Sequence, residues 1–97
     1  MYGTIATLSI DPSNVEALGK MLQDWNKAEG ASDIGFVGGY LLQTDADSSV
    51  AKMMAVFESE DRYRANANRP EQDAWYQELR ALLRSDPVWE DGNVVAT

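Results

Sequence analysis

The side chains of this chain that can take part in chemistry are carboxylates, guanidinium and ammonium groups, hydroxyls, amides and aromatic rings, because the sequence holds no cysteine and no histidine. Those absences exclude thiolate nucleophiles, Cys/His zinc sites, imidazole acid–base catalysis, Ser-His-Asp triads and a haem ligated by a histidine of this chain. The five arginines all fall between residues 62 and 84. Arg62 and Arg69 lie near one face of an expected helical region, where they could grip a carboxylate-bearing ligand or pair with the abundant surface acids. Asp45 and Asp47 stand at alternate positions, but the glycine and terminal glutamate of a calcium loop are missing, so they read as a solvated hairpin tip. Glu58, Glu60 and Asp61 surround one helix start and Glu71 and Asp73 another, where negative charge suits the helix dipole. Gly38-Gly39 lacks the spacing and the following helix of a phosphate loop and reads as strand flexibility or a bulge. No metal site and no cofactor is expected. The nine aromatic residues leave two readings open. Trp25, Trp75 and Tyr63 on helices, with Phe36, Tyr40 and Phe57 on strands, could line an aromatic pocket between sheet and helices, or could be packed core.

The elements that must position these groups follow from periodicity. Met1 to Ile10 reads as a strand stopped by Asp11-Pro12. A helix follows, capped by Asp11 with Pro12 at its first position or by Ser13 with Glu16. Its apolar stripe is Val15, Leu18, Leu22 and Trp25, and Glu29-Gly30 ends it. Ile34 to Gln43 and Val50 to Glu58 form a hairpin around a polar loop. Ser59 caps a second helical region, which Pro70 divides into a short helix from about Glu60 to Ala67 and a longer one from about Pro70 to Arg84. Trp75, Leu79, Leu82 and Leu83 face inward on the longer helix. Asp91-Gly92 reads as a turn and Asn93 to Thr97 as the last strand. The order strand, helix, strand, strand, helix, strand predicts an α+β, ferredoxin-like βαββαβ fold, an antiparallel sheet with two helical regions on one face.

With 97 residues, the chain is expected to form one domain over 1–97 with a core of its own. The formal net charge of −8 repels nucleic acid and anionic membrane surfaces. Met1 to Ile10 lacks the basic start of a signal peptide, and the longest apolar region, Ile34 to Leu42, is too short for a membrane span, so a cytoplasmic protein is expected. The strands are apolar on both faces. Ala51, Met53, Ala55 and Phe57 alternate with Val50, Met54 and Val56, yet two helical regions can cover only one face. The other is expected to meet a second copy, giving a homodimer.

The segment Phe57-Glu58-Ser59-Glu60-Asp61-Arg62-Tyr63 resembles the aromatic-Glu-Ser-Glu motif, followed by a further aromatic, that joins the third strand to the second helix in antibiotic biosynthesis monooxygenase-like proteins. The resemblance extends over nearly the whole chain in element order and length, including the Asp-Pro-Ser helix start. It implies a dimeric α/β barrel with a ligand cavity between sheet and helices in each subunit. Enzymatic members of the family act on aromatic polyketides or haem, and the polyketide oxygenases use neither metal nor flavin. Against the haem-degrading branch, Phe57 stands where those proteins have tryptophan, Ile5 and Ala6 fall near their first-strand asparagine, and Asn66, Asn68 and Glu71 occupy the region of their haem-ligating histidine.

The resemblance thus points to a small-molecule-binding homodimer with cofactor-independent monooxygenase activity on an aromatic or quinone-like substrate. In such a mechanism the deprotonated substrate reacts with oxygen while the protein orients it and stabilises charge. Asn66, Trp75, Tyr63 and Arg62 are the expected catalytic candidates, with Phe57, Met53, Trp25 and Tyr40 lining the pocket. The alternative is a non-catalytic ligand-binding or assembly protein of the same fold. A third reading, an isomerase or decarboxylase, requires a carboxylate base in the cavity.

Overall fold

The computed structural model describes residues 1–28 and 30–97. A four-stranded antiparallel sheet carries three helices in the order β1 (Tyr2–Ser9), α1 (Val15–Lys27), β2 (Phe36–Gln43), β3 (Val50–Phe57), α2 (Glu60–Ala67), α3 (Pro70–Ala81) and β4 (Val88–Asn93). The strands lie in the order β2-β3-β1-β4, so the two central strands, β3 and β1, are the first strands of the two βαβ halves.

Side-chain parity decides which face meets the helices. Along β1, Tyr2, Thr4, Ala6 and Leu8 are buried, as is Ile10 just beyond, while Ile5 on the opposite face is exposed. The register sets Tyr2, Thr4, Ala6 and Leu8 beside Phe57, Ala55, Met53 and Ala51 of β3, so these side chains share one inner face. Its Ala6, Leu8 and Ala51, with Ile10, form a dry core with Leu18 and Leu22 of α1, Leu79 of α3 and Leu83 beyond it. The chain enters this layer through Asp11. Its Oδ1 accepts hydrogen bonds from the Ser13 amide at 2.9 Å and the Ser13 hydroxyl at 2.7 Å, which hold the Asp11 carboxyl below its ordinary range. Of the two expected caps, Asp11 acts, and it opens a 3₁₀ turn over Pro12–Asn14 ahead of α1. Ser59 caps α2 by accepting from the Arg62 amide, as its position predicted. Glu29, expected to end α1 with Gly30, lies outside the described residues.

Three boundaries differ from the sequence reading. Ser32–Ile34 is a 3₁₀ turn, so β2 begins at Phe36. A bulge between Phe36 and Gly38 then shifts the register by one residue, and this reverses the parity of the strand. Phe36, Gly39 and Leu41 therefore share the inner face, and Tyr40 points outward, 73% exposed. The expected last strand at 93–97 is instead Val88–Asn93, with Asp91-Gly92 inside it rather than in a turn. Gly92 lies opposite Gly3 and Asp91 opposite Thr4, and pairing along a long central strand outweighs the local turn preference of Asp-Gly. Finally, α3 stops at Ala81, and the Arg84 amide donates to the Ser9 carbonyl at 2.8 Å.

One side chain of α1 hydrogen-bonds the edge strand β2. Asn26 Nδ2 donates to the Gly39 carbonyl and its Oδ1 accepts from the Gly39 amide, both at 3.0 Å, so the amide imitates a neighbouring strand. At the start of β2, Gly35 has φ of +84°, and a Cβ there would lie 2.8 Å from the Arg62 stem. Gly35→Ala should therefore destabilise the fold by about 1–3 kcal/mol. The measurement is urea unfolding, and a loss below about 0.5 kcal/mol would show that neither the left-handed backbone nor the Arg62 contact matters there.

Candidate functional site

The inner face of the sheet is not filled along its whole length. Beyond the dry core, the inward residues at the centre of the sheet are Thr4 and Ala55, a cross-strand pair of small side chains that leaves space beneath the helices. Above them lies a cavity of about 400 Å³, within the range of small-molecule sites. Seven of the nine aromatic residues line it: Trp25, Phe36, Phe57, Tyr63, Trp75, Tyr76 and Trp89. Most form a continuous wall. Trp75 to Trp25, Trp25 to Phe36, Phe36 to Phe57 and Phe57 to Tyr63 have ring centroids 6.3, 5.6, 5.4 and 5.5 Å apart, all tilted or edge-to-face. Rings fixed by such contacts cannot collapse inward without losing them.

The roof of the cavity depends on the elbow between α2 and α3. Arg69 precedes Pro70 and is extended, with ψ of 139°, which ends α2 and lets Pro70 open α3. Tyr63 and Asn66 sit three residues apart on the inward side of an otherwise charged helix. Asn66 is 5% exposed. Its Oδ1 accepts from Arg69 Nη1 at 3.0 Å and its Nδ2 donates to Gln72 Oε1 at 3.1 Å, so the amide is fixed across the elbow. The amide carries a second N–H, which among the described residues is unclaimed and belongs to a group lining the cavity.

Tyr63 donates its hydroxyl to Oδ1 of Asp91 on β4 at 3.1 Å. Burial pushes the Tyr63 phenol above its ordinary value, and the Asp91 carboxylate adds to this. Arg64 stands behind the pair. Its guanidinium lies over the Tyr2 and Tyr63 rings at 5.7 and 5.3 Å and reaches Asp91 at 3.5 Å. Among the described residues no group of three carboxylates converges as a metal-binding set would.

Of the expected catalytic candidates, Tyr63, Asn66 and Trp75 line this one cavity, together with Phe57, Met53 and Trp25 from the expected pocket set. Arg62 does not. Its Nη1 donates to the Asp33 carbonyl at 2.9 Å and its stem packs on Gly35, outside the cavity. Tyr40 does not either, because the β2 bulge turns it to the opposite face, beside Met54, Val56 and the C-terminal residues. The sequence reading missed Trp89 and Asp91, which reach the cavity because β4 begins before Asp91-Gly92. The signal was present in Val88-Trp89, a β-prone pair directly after Pro87. Thr4, Gln72, Asp73 and Tyr76 are further polar or aromatic additions.

No protein-family model matches the sequence, and no curated protein matches it. The structure has counterparts. A Caulobacter crescentus protein described as a candidate antibiotic biosynthesis monooxygenase superposes with a TM-score of 0.78 at 20% identity, over 98% of this chain and 90% of that one. SnoaB, a cofactor-independent oxygenase from Streptomyces nogalater, seen as an asparagine-to-alanine mutant, gives 0.76 at 17% identity over 99% and 94% of the two chains. A Chloroflexus aurantiacus protein, likewise described as a candidate antibiotic biosynthesis monooxygenase, gives 0.72 at 22% over 99% and 94%. The fold is that of the antibiotic biosynthesis monooxygenases. At these identities the likeness establishes the architecture, which the segment 57–63 had already suggested.

The raised Tyr63 phenol is directly testable. A phenol is neutral when protonated, so a folded-state value above the unfolded one, near 10, contributes stability below pH 10 that is lost as pH rises further. In spectrophotometric titrations of the wild type and Tyr63→Phe, the tyrosine step that the substitution removes should lie above pH 10. Loss of a step at or below pH 10 instead would contradict the half-buried Tyr63 hydroxyl and its bond to Asp91.

Proposed function

We propose that this chain binds a planar aromatic or quinone-like small molecule in the cavity and oxygenates it without a cofactor, as a homodimer of one 1–97 domain in the cytoplasm. The observation that carries the reading is the concentration of seven aromatic rings and one fixed, buried amide around a single cavity of about 400 Å³. Flat apolar walls orient a flat ring system, and a small, well-placed polar group selects its orientation. SnoaB, of the same fold, is described as a cofactor-independent oxygenase, which supports the reaction class.

The chemistry asked of these residues is modest. A carboxylate at the cavity, Asp91 or Asp73, takes a proton from a doubly benzylic C–H of the substrate. The resulting carbanion, delocalised as an enolate, passes its electrons to molecular oxygen. One oxygen atom ends as the new carbonyl and the other leaves as water. Asn66, through its unclaimed N–H, and the indole N–H groups of Trp25, Trp75 and Trp89 are among the donors available to the enolate oxygen. The Asn66 amide is already held by Arg69 and Gln72, so it need not reorganise when charge develops.

The outer sheet face supports the homodimer. Ile5, Val37, Tyr40, Leu42, Met54 and Val88 all remain exposed there, a larger apolar group than a monomer ordinarily leaves in water. A second copy related by a twofold axis would cover this face with its own.

Two experiments check this. Oxygen uptake with an anthrone in chelator-treated buffer should be accelerated by the wild type and reduced roughly 100-fold by Asn66→Ala, the scale for loss of one charge-stabilising donor. Absence of uptake with any anthrone that binds would leave a ligand-binding protein. By light scattering, the wild type should be dimeric at micromolar concentration and Met54→Lys should be monomeric; a monomeric wild type would overturn the assembly.

A further inference from the structure

The cavity wall has a charge character that the fold does not dictate. Its only ionisable side chains besides the tyrosines are two carboxylates, Asp73 and Asp91, and among the described residues no lysine or arginine lines it. This is not for lack of arginines nearby. Arg64 is stacked over two tyrosine rings and receives Tyr2, Glu60 and Asp91 as partners, Arg69 is bonded to Asn66 and paired with Glu71, and Arg62 is bonded to the Asp33 carbonyl. Each guanidinium that could have gripped a carboxylate-bearing ligand is committed to the protein itself. Arg64 offsets part of the Asp91 charge from behind, whereas Asp73 has no ion-pair partner among the described residues. Seven ring systems border the same cavity, and each ring face that a ligand meets there adds negative potential to these carboxylates.

We infer that the cavity is selective by charge: it takes planar aromatic ligands that are neutral or, preferentially, cationic, such as protonated amino-substituted polycycles, and rejects those bearing a carboxylate. This deepens the proposed function and rests on it. An anion entering the cavity would lose its hydration, meet two carboxylates and find no free cation. A cationic ring keeps its charge compensated by Asp73 and Asp91 and can lie against Trp25, Trp75 or Trp89. The preference also fits the proposed reaction. Loss of a proton from a cationic substrate leaves a neutral species, so no net negative charge has to be held among carboxylates, and Asn66 need only complete the stabilisation.

The test uses three fused tricyclic probes of similar shape: 9-aminoacridine, which is cationic at neutral pH, acridone, which is neutral, and anthracene-9-carboxylate, which is anionic. Binding is read from quenching of the intrinsic fluorescence, since all three tryptophans of the chain line the cavity. 9-Aminoacridine should bind about tenfold or more tighter than anthracene-9-carboxylate. Asp73→Asn, a change at an exposed helix position, should narrow that gap several-fold and leave acridone affinity unchanged. Asp91→Asn should narrow it further. Glu78→Gln, which removes an exposed charge of α3 outside the cavity, should leave the gap as it is. Equal or tighter binding of the carboxylate would overturn the inference. So would a gap that Glu78→Gln narrows as much as Asp73→Asn, because net charge rather than the cavity would then be selecting. Quenching by none of the three probes would instead overturn the underlying reading of the cavity as a ligand site.

Discussion

The amide of Asn66, pinned between Arg69 and Gln72, is the interaction on which the rest of this molecule turns. A chain that breaks from one helix into another at Asn68-Arg69-Pro70 frees backbone groups and leaves the angle between the helices loosely determined. Here a buried side chain accepts from one side of the break and donates to the other, at 3.0 and 3.1 Å, so the elbow has one geometry. Because a buried amide must be satisfied, this geometry resists alternatives that would strand the amide without partners. The elbow carries Tyr63 on one arm and Trp75 and Tyr76 on the other. Their spacing over the sheet is set by it.

The sheet supplies the complementary constraint. At one end Leu8, Ile10, Leu18, Leu79 and Leu83 meet in a filled core. Towards the other, the small Thr4 and Ala55 leave the inner face low, and the bulky residues stand around the space above them. A filled end and an open end on one inner face let the protein keep a rigid hydrophobic base while leaving a cavity that its own side chains do not close. The outer face shows the opposite arrangement, with large apolar side chains and nothing of this chain to cover most of them. Both features follow from the alternation of the two central strands.

Much of this was legible in the sequence where a single local signal agreed with the tertiary demand. Ser59 and Pro70 bounded α2 correctly because a cap and a helix breaker act locally. Val15, Leu18, Leu22 and Trp25 marked the buried stripe of α1, and Phe57 through Tyr63 pointed to the fold. The failures share a physical cause, which is dependence on a distant strand. The bulge in β2 reverses the face of Tyr40, and nothing in Val37-Gly38-Gly39 alone specifies on which side of the extra residue the strand resumes. Asp91-Gly92 has the composition of a turn and is extended only because β1 lies alongside it. The cavity was foreseeable as an aromatic inventory, but its floor was not, since two small residues 51 positions apart become a gap only once the register of β1 and β3 is known. Arg62 was attractive as a ligand-binding cation for the same reason that it fails: its long stem is used to cover Gly35.

The central claim, that the aromatic residues form a ligand site rather than a core, can be tested with one spectrum. The three indole N–H groups of a ¹⁵N-labelled sample resonate apart from the backbone amides, and all three belong to residues that line the cavity, drawn from α1, α3 and β4. Titration with acridone should shift all three indole signals together and leave the amides of Tyr40 and Leu42, on the outer face, in place. Indole signals that stay fixed while outer-face amides move, or that do not move at saturating acridone, would show that the rings are packing and that the site lies elsewhere or does not exist.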